Sequence, residues 1–292
     1  MLYSKLMKVL IKIKLDSIAW SIRRLYCPVD KNALVLEVGS GGNPYFRSNI
    51  LCDAYIDTRE RHFAKLIHDR PTVLAYVEDL PFKDNTFDFV IACHVLEHSK
   101  DPEKFLNEIQ RVSKAGYIEV PDAFLERLTC YLDHRLEISD INNELVITKK
   151  TGYVHDENVR ELFLNKVSMV FPQIVRKYPF SFHVRYYWNK NEGGIKYKIT
   201  NPDYKFNWDS PQIHKEAKKN KINIRSSLTS MFIFLLRQFF SQNKRNRHID
   251  ITRYLHCLSC KSDKFEWNME LICLNCGKKY PIIGENIINF TN

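Results

Sequence analysis

Residues 34–120 hold five short apolar runs with polar or helix-patterned stretches between them, and nothing else in the chain limits its fold as tightly. The runs lie at 34–38, 49–55, 72–77, 87–93 and 117–120. The fourth, "FDFVIAC", is nearly unbroken, as a strand buried on both faces requires. Between the fourth and fifth, residues 102–113 place Phe105, Leu106, Ile109 and Val112 on one helical stripe. Strands alternating with helices predict a parallel sheet covered by helices, so the fold class is doubly wound α/β. Further on, 181–189 and 195–200 flank the turn "KNEGG" and predict an antiparallel hairpin.

The chain has 292 residues, long enough for one large domain with an appendage. Its net charge of +10 sits at two places: residues 1–32 carry +5 and residues 211–250 carry +7, leaving the rest at −2. A nearly neutral main domain makes a broad nucleic-acid face the weaker expectation. The basic segments can still meet phosphates or an anionic membrane surface. Residues 2–15 set Leu2, Leu6, Val9, Leu10 and Ile13 against Lys5, Lys8 and Lys12. Such a helix either packs on the main domain or lies on a membrane. Residues 228–240 are strongly apolar but too short to span a bilayer. The division is 1–30, an amphipathic basic helical segment; 31–205, the main domain; 206–250, a basic linker with an apolar helix; and 251–292, a small C-terminal domain. Single cysteines scattered through apolar surroundings suit a reducing compartment, so the expected location is cytoplasmic, with peripheral contact at the inner face of a membrane.

The first run continues into a glycine turn, "VLEVGSGGNP". A pyrophosphate fingerprint needs a third glycine and a helix aimed at the phosphates. Here Asn43-Pro44 intervenes and the next strand follows within a few residues, so a cofactor without a pyrophosphate fits better. Asp53 ends the second run, where a carboxylate can hold both hydroxyls of a ribose; Asp57 is the fallback, and either can instead cap a turn.

Three blocks in this order, "VLEVGSG", "EDLPFKDNTFDFVIACHVLEH" and "DPEKFLNEIQRVSKAGYIEVP", resemble class I S-adenosylmethionine-dependent methyltransferases over residues 30–125. The resemblance implies a seven-stranded Rossmann-like sheet whose last two strands are the hairpin at 181–200. It implies Glu37 near the methionyl amino group, Gly39 and Gly41 at the closest backbone approach, and Asp53 on the ribose. Tyr76, Val77 and Glu78 would flank the adenine, and Cys93 the methionine end. Tyr76 stands where the family often has an aspartate, so Tyr76 would stack on the ring, or Glu78 or Asp79 would replace the acid.

A hydroxyl acceptor must lose its proton during methyl transfer. His94, His98 and Asp122 follow strands at the carboxyl edge of the sheet, where ligands bind in open α/β folds, and are the catalytic candidates. His134 and His155 are further candidates. His98 has an alternative structural role in the loop. Near the C-terminus, Cys257-x-x-Cys260 and Cys273-x-x-Cys276 have the spacing of a closed, structural four-thiolate zinc site. This segment, with "CGKKYPI" and "GENIINF", resembles the small zinc-ribbon proteins that activate RNA and protein methyltransferases. The ribbon would either dock on the catalytic domain or present substrate. The pairing of methyltransferase and ribbon resembles bacterial enzymes of surface-polysaccharide biosynthesis, which implies a small-molecule or glycan acceptor. The alternatives are an RNA or protein methyltransferase, and a non-catalytic binding module. "CHVLEH" occupies the place where an "NPPY"-like motif would point to amide or base methylation.

Overall fold

The computed structural model describes residues 3–58, 60, 61, 64–209, 231, 235, 249–284 and 286–291. Apart from Met231 and Leu235, the apolar stretch 228–240 lies outside the described residues, as does Leu2. Five strands, β1 (Val35–Val38), β2 (Ile50–Asp53), β3 (Thr72–Leu74), β4 (Phe89–Cys93) and β5 (Ala115–Pro121), run parallel in the order β3-β2-β1-β4-β5. Each is buried along its whole length, which is why its sequence is continuously apolar rather than alternating. The anticipated helix is α3 (Pro102–Val112), capped by Asp101 and burying Phe105, Leu106, Ile109 and Val112.

The antiparallel hairpin expected at 181–200 does not form. β8 (His183–Asn189) pairs antiparallel with β5, but β9 (Tyr197–Ile199) leaves the sheet. It pairs parallel with β7 (Glu144–Lys149) in a second sheet of order β6-β7-β9, where β6 is Leu136–Ile141. The turn explains the departure. Gly193 and Gly194 both take positive φ, and Tyr186 presents its hydroxyl to the Lys196 amide at 2.9 Å. Ile195 is thereby drawn into the core, and the following strand meets the edge of β7.

The sheet is completed at its other edge by the C-terminal segment. β10 (Phe265–Trp267), β11 (Glu270–Cys273), β12 (Lys279–Ile283) and β13 (Ile287–Asn289) form an antiparallel meander, and β13 runs parallel to β3. Phe290 donates its amide to Leu74 O at 2.7 Å, and the His256 amide bonds Pro81 O at 2.9 Å. The ribbon therefore docks on the parallel sheet, with Ile288 and Phe290 in the common core.

The N-terminal helices α1 (Lys5–Lys12) and α2 (Asp16–Ile22) pack at the opposite edge: Tyr3 and Trp20 meet the ring of Phe180. Yet α1 buries Met7 alone, and Leu6, Val9 and Ile13 stand more than half exposed. Three further helices, α4 (Ala123–Thr129), α5 (Glu157–Lys166) and α6 (Phe171–Lys177), cluster over the carboxyl ends of β4 and β5. Among the described residues no helix is long and apolar enough to cross a membrane.

Candidate functional site

The glycine turn lies at the carboxyl end of β1 and opens on a cavity of about 390 Å3. Gly39 and Gly41 take φ of +63° and +56°, which L side chains rarely adopt. A Cβ at Gly39 would sit 2.7 Å from Val95 Cβ, so the backbone approaches where only hydrogen fits. Glu37, Gly39, Gly41, Asp53, Val77, Cys93, His94 and His98 all line this one cavity.

Glu37 is buried, and its Oε2 accepts from the Tyr45 amide at 2.8 Å and the Ser48 hydroxyl at 2.5 Å. Burial pushes its carboxyl up to about 7, against the pull of Ser48, Arg24 and the Tyr45 amide. Asp53 accepts from the Gly41 amide at 2.9 Å and the Tyr55 amide at 3.1 Å, and pairs with Arg61 at 3.3 Å. It thus braces the glycine turn as well as facing the cavity, whereas Asp57 is exposed and lines no part of it. Tyr76 is 46% exposed, with its ring edge-on to Tyr55. Tyr76, Val77, Glu78 and Asp79 line an adjoining pocket that shares Tyr55, Val77 and His98 with the first. Glu78 is held by the Ser99 hydroxyl at 2.5 Å. Cys93 is buried and its thiol is pushed well up by burial, so it packs rather than reacts.

A second cavity of about 500 Å3 opens beyond His94 and His98, which line both. Its far wall is built by Glu97, Leu125, Tyr131, His134, Arg176 and His183. His94 has a left-handed backbone, φ +56°, fixed by its amide donating to Glu119 O at 2.7 Å. Its ring lies between two buried carboxylates, 3.5 Å from Glu97 Oε1 and 3.5 Å from Glu119 Oε1. Burial alone would depress its pKa, but the two acids outweigh burial and raise it to about 9. His98 donates Nδ1–H to Asp133 O at 3.1 Å. Asp122 is placed elsewhere: it caps α4, accepting from the Phe124 amide at 2.8 Å, and lines neither cavity. β5 runs one residue further than its apolar run, to Pro121, so the next residue becomes a helix cap instead of a strand-end ligand. His155 pairs with Glu137 at 3.0 Å and is likewise outside both cavities.

Two site residues were not anticipated. Glu119 is wholly buried beneath His94 and is held by Arg23 through Nε at 3.0 Å and Nη2 at 2.7 Å, with Arg185 at 3.4 Å. Glu97 stands between His94 and the second cavity. The signal for Glu119 was its place inside the apolar run "YIEVP", since a charge buried in a strand must find a partner.

Comparison with known proteins gives a family match for the segment that carries the glycine turn. Residues 36–118 match the methyltransferase domain family. An uncharacterized protein of Methanocaldococcus jannaschii is 37% identical over 84 residues, 28% of this chain and 40% of that protein. Ajmaline N-methyltransferase of Rauvolfia serpentina is 45% identical over 38 residues, 13% of each chain. The chain thus spans well under half the length of these curated relatives. Among solved structures, a Haloferax volcanii complex of the Trm112 methyltransferase activator with its partner chain covers 72% of this chain and 95% of that one, at 14% identity and a TM-score of 0.34. A S-adenosylmethionine-dependent methyltransferase of Thermotoga maritima covers 40% and 56%, at 20% identity and a TM-score of 0.28. Strand order, glycine turn and family match agree that residues 36–118 form a methyltransferase domain of the S-adenosylmethionine-dependent class.

Proposed function

We propose that the protein methylates an oxygen of a sugar, glycan or other small-molecule intermediate in surface-polysaccharide biosynthesis. The observation that carries this reading is the second cavity, which shares His94 and His98 with the first and sets four histidines and three acids among apolar residues, with Arg176 as its one arginine or lysine among the described residues. Bound S-adenosylmethionine supplies an electrophilic methyl group on sulfur. In this reading Glu37 takes the methionyl ammonium, Gly39 and Gly41 admit the cofactor to the backbone, and Asp53 takes the ribose. Tyr76, Val77 and Glu78 flank the adenine, and Cys93 packs beside the methionine end. His98 stands where the cavities meet, placed to take the proton of the acceptor oxygen, and His94, kept protonated by its two acids, is placed to orient that oxygen. Activated sugars, glycolipids and RNA, incubated with the protein and labelled cofactor, are separated by mass. A sugar or glycolipid gaining one methyl group is the expected result; labelling of RNA or protein alone replaces this reading.

The four cysteines fit a structural zinc ion. Cys257 Sγ lies 3.6 Å from Cys276 Sγ, and Cys260 Sγ lies 3.5 Å from Cys273 Sγ. These separations are far too long for disulfides and close to the roughly 3.8 Å edge of a tetrahedron with 2.3 Å zinc–sulfur bonds. Among the described residues no ribbon residue lines either cavity, so the ribbon's part in the reading is support of the β3 edge rather than presentation of substrate. Metal analysis should find zinc retained, with the four thiols protected from titration.

We further propose that α1 meets an anionic membrane carrying the acceptor. Leu6, Val9 and Ile13 form an outward apolar stripe with Lys5, Lys8 and Lys12 alongside, and Met169 and Val170 before α6 are also exposed. A buried apolar face plus about 1 kcal/mol per lysine suits such an interface. Co-sedimentation with vesicles should rise with anionic lipid and fall with salt. Protein remaining in the supernatant at low salt would remove the proposal.

A further inference from the structure

The wall of the second cavity contains a group of three possible ligands, of which the methyl-transfer reading uses only His98. Glu97, His98 and His134 each offer one ligand atom, and these atoms lie within 4.8 Å of one another. Glu97 is 2% exposed, and among the described residues neither of its carboxylate oxygens accepts a hydrogen bond. Beside its ion pair with His94, such a buried carboxylate keeps acceptor capacity that a further ligand could use. Its close cationic neighbour is His94 Nδ1, at 3.5 Å.

Each histidine has an acceptor behind one ring nitrogen. His98 Nδ1 lies 3.1 Å from Asp133 O, which can only accept, so Nδ1 is the donor and Nε2 is the nitrogen left for a ligand role. His134 Nδ1 lies 2.6 Å from Glu126 Oε2, which leaves its Nε2 for the same role. Glu126 is itself buried and is held by Lys150 Nζ at 2.6 Å through its other oxygen. A carboxylate or carbonyl behind each imidazole fixes its ring and raises the basicity of the free nitrogen. The chain thus brings a two-histidine, one-carboxylate set, with its supporting acceptors, to the wall of a cavity.

We propose that Glu97, His98 and His134 bind a divalent transition-metal ion whose open positions face the second cavity and take an oxygen of the acceptor. Imidazole with one carboxylate suits zinc, iron(II) or cobalt(II) over magnesium or calcium. The inference rests on the methyltransferase reading for its acceptor, but not for the ion. A coordinated hydroxyl is more acidic than a free one. With His98 on the ion, the proton passes to solvent rather than to His98, the oxygen lone pair forms the new C–O bond, and the C–S bond breaks with its electron pair passing to sulfur.

The 292-residue protein is saturated with cobalt(II), and metal per chain is counted. Sulfur-to-cobalt absorption separately reports the ion on Cys257, Cys260, Cys273 and Cys276. Wild type should hold two ions, and Glu97→Gln and His134→Ala one each, with unchanged sulfur-to-cobalt absorption. Glu126→Gln should weaken the second ion by about 10–100-fold, since it acts through His134. Cofactor affinity, measured by calorimetry, should stay within about twofold in the Glu97 and His134 variants, showing that they fold. Wild type holding a single, thiolate-bound ion overturns the proposal whatever the variants do, as do variants that keep both ions. A protein that takes the second ion but no cofactor overturns the methyltransferase reading and leaves the metal site standing.

Discussion

The two cavities are built by different means. The first is made of backbone: strand ends, two glycines with positive φ, and a carboxylate that braces their turn. The second is made of buried charge. Glu119 with Arg23, Glu97 with His94, and Glu126 with His134 and Lys150 join residues from the N-terminal segment, the sheet edge and the 123–150 region. Backbone geometry of the first kind is local and tolerates few residue types. Charge pairing of the second kind is long-range and constrains pairs, not motifs. The first cavity suits a shared cofactor, and the second is where one enzyme can differ from its relatives.

If the halves are separable, breaking a buried pair should damage the second far more than the first. The largest effect is expected from Glu119→Ala, which takes from Arg23 its buried carboxylate beneath the site. It should cost about 3–5 kcal/mol of unfolding free energy, read by urea denaturation. A loss below about 1 kcal/mol would mean that the N-terminal segment is not anchored there.

Gly39→Val attacks the first half. The new side chain meets Val95 and a backbone conformation it resists, so cofactor affinity should fall by about 100-fold or more in calorimetry. Equal affinity in wild type and variant would show that the turn is not the cofactor's cradle.

A smaller effect tests Glu37. Its carboxyl titrates near 7 in the free protein, and only the ionised form pairs with an ammonium. Affinity should therefore be about tenfold weaker at pH 6 than at pH 8, and level off above that. Glu37→Gln should flatten the profile. The same raised pKa means that Glu37 contributes stability fully at low pH and loses it as pH climbs from its unfolded value through about 7. A flat affinity profile in wild type would place the ammonium elsewhere.

The smallest effect separates a cap from a catalytic acid. Asp122→Ala should lower stability by about 1 kcal/mol through the lost α4 cap and leave the pH profile of turnover unchanged. A loss of turnover with unchanged stability would restore Asp122 to the site.

These contrasts also explain what the sequence made legible. The five parallel strands and α3 stood out because a strand buried on both faces is continuously apolar and α3 carries one apolar stripe. Gly39, Gly41 and Asp53 stood out because a tight strand-end turn leaves a short local pattern. Glu97 hid inside "HVLEH" because its partners lie elsewhere in the chain or one turn away on the same loop. The hairpin at 181–200 failed because two apolar runs beside a glycine turn do not say which edge the second run will meet. Here Tyr186 and Gln110, by binding the Lys196 and Ile195 amides, decided it. Asp122 misled because the end of a strand and the cap of a helix coincide at that residue.

The pairing of β13 with β3 also sets the order of events during synthesis. β3 emerges from the ribosome early, with one edge paired to β2 and the other bare. Its second partner, Ile287–Asn289, is made more than two hundred residues later. At ordinary elongation rates that interval is roughly ten to forty seconds. Throughout it, Thr72–Leu74 offers unpaired amides and carbonyls at the rim of an apolar sheet, open to any strand that passes. The nascent chain must be shielded over this period, or its early half must wait to consolidate until the ribbon arrives.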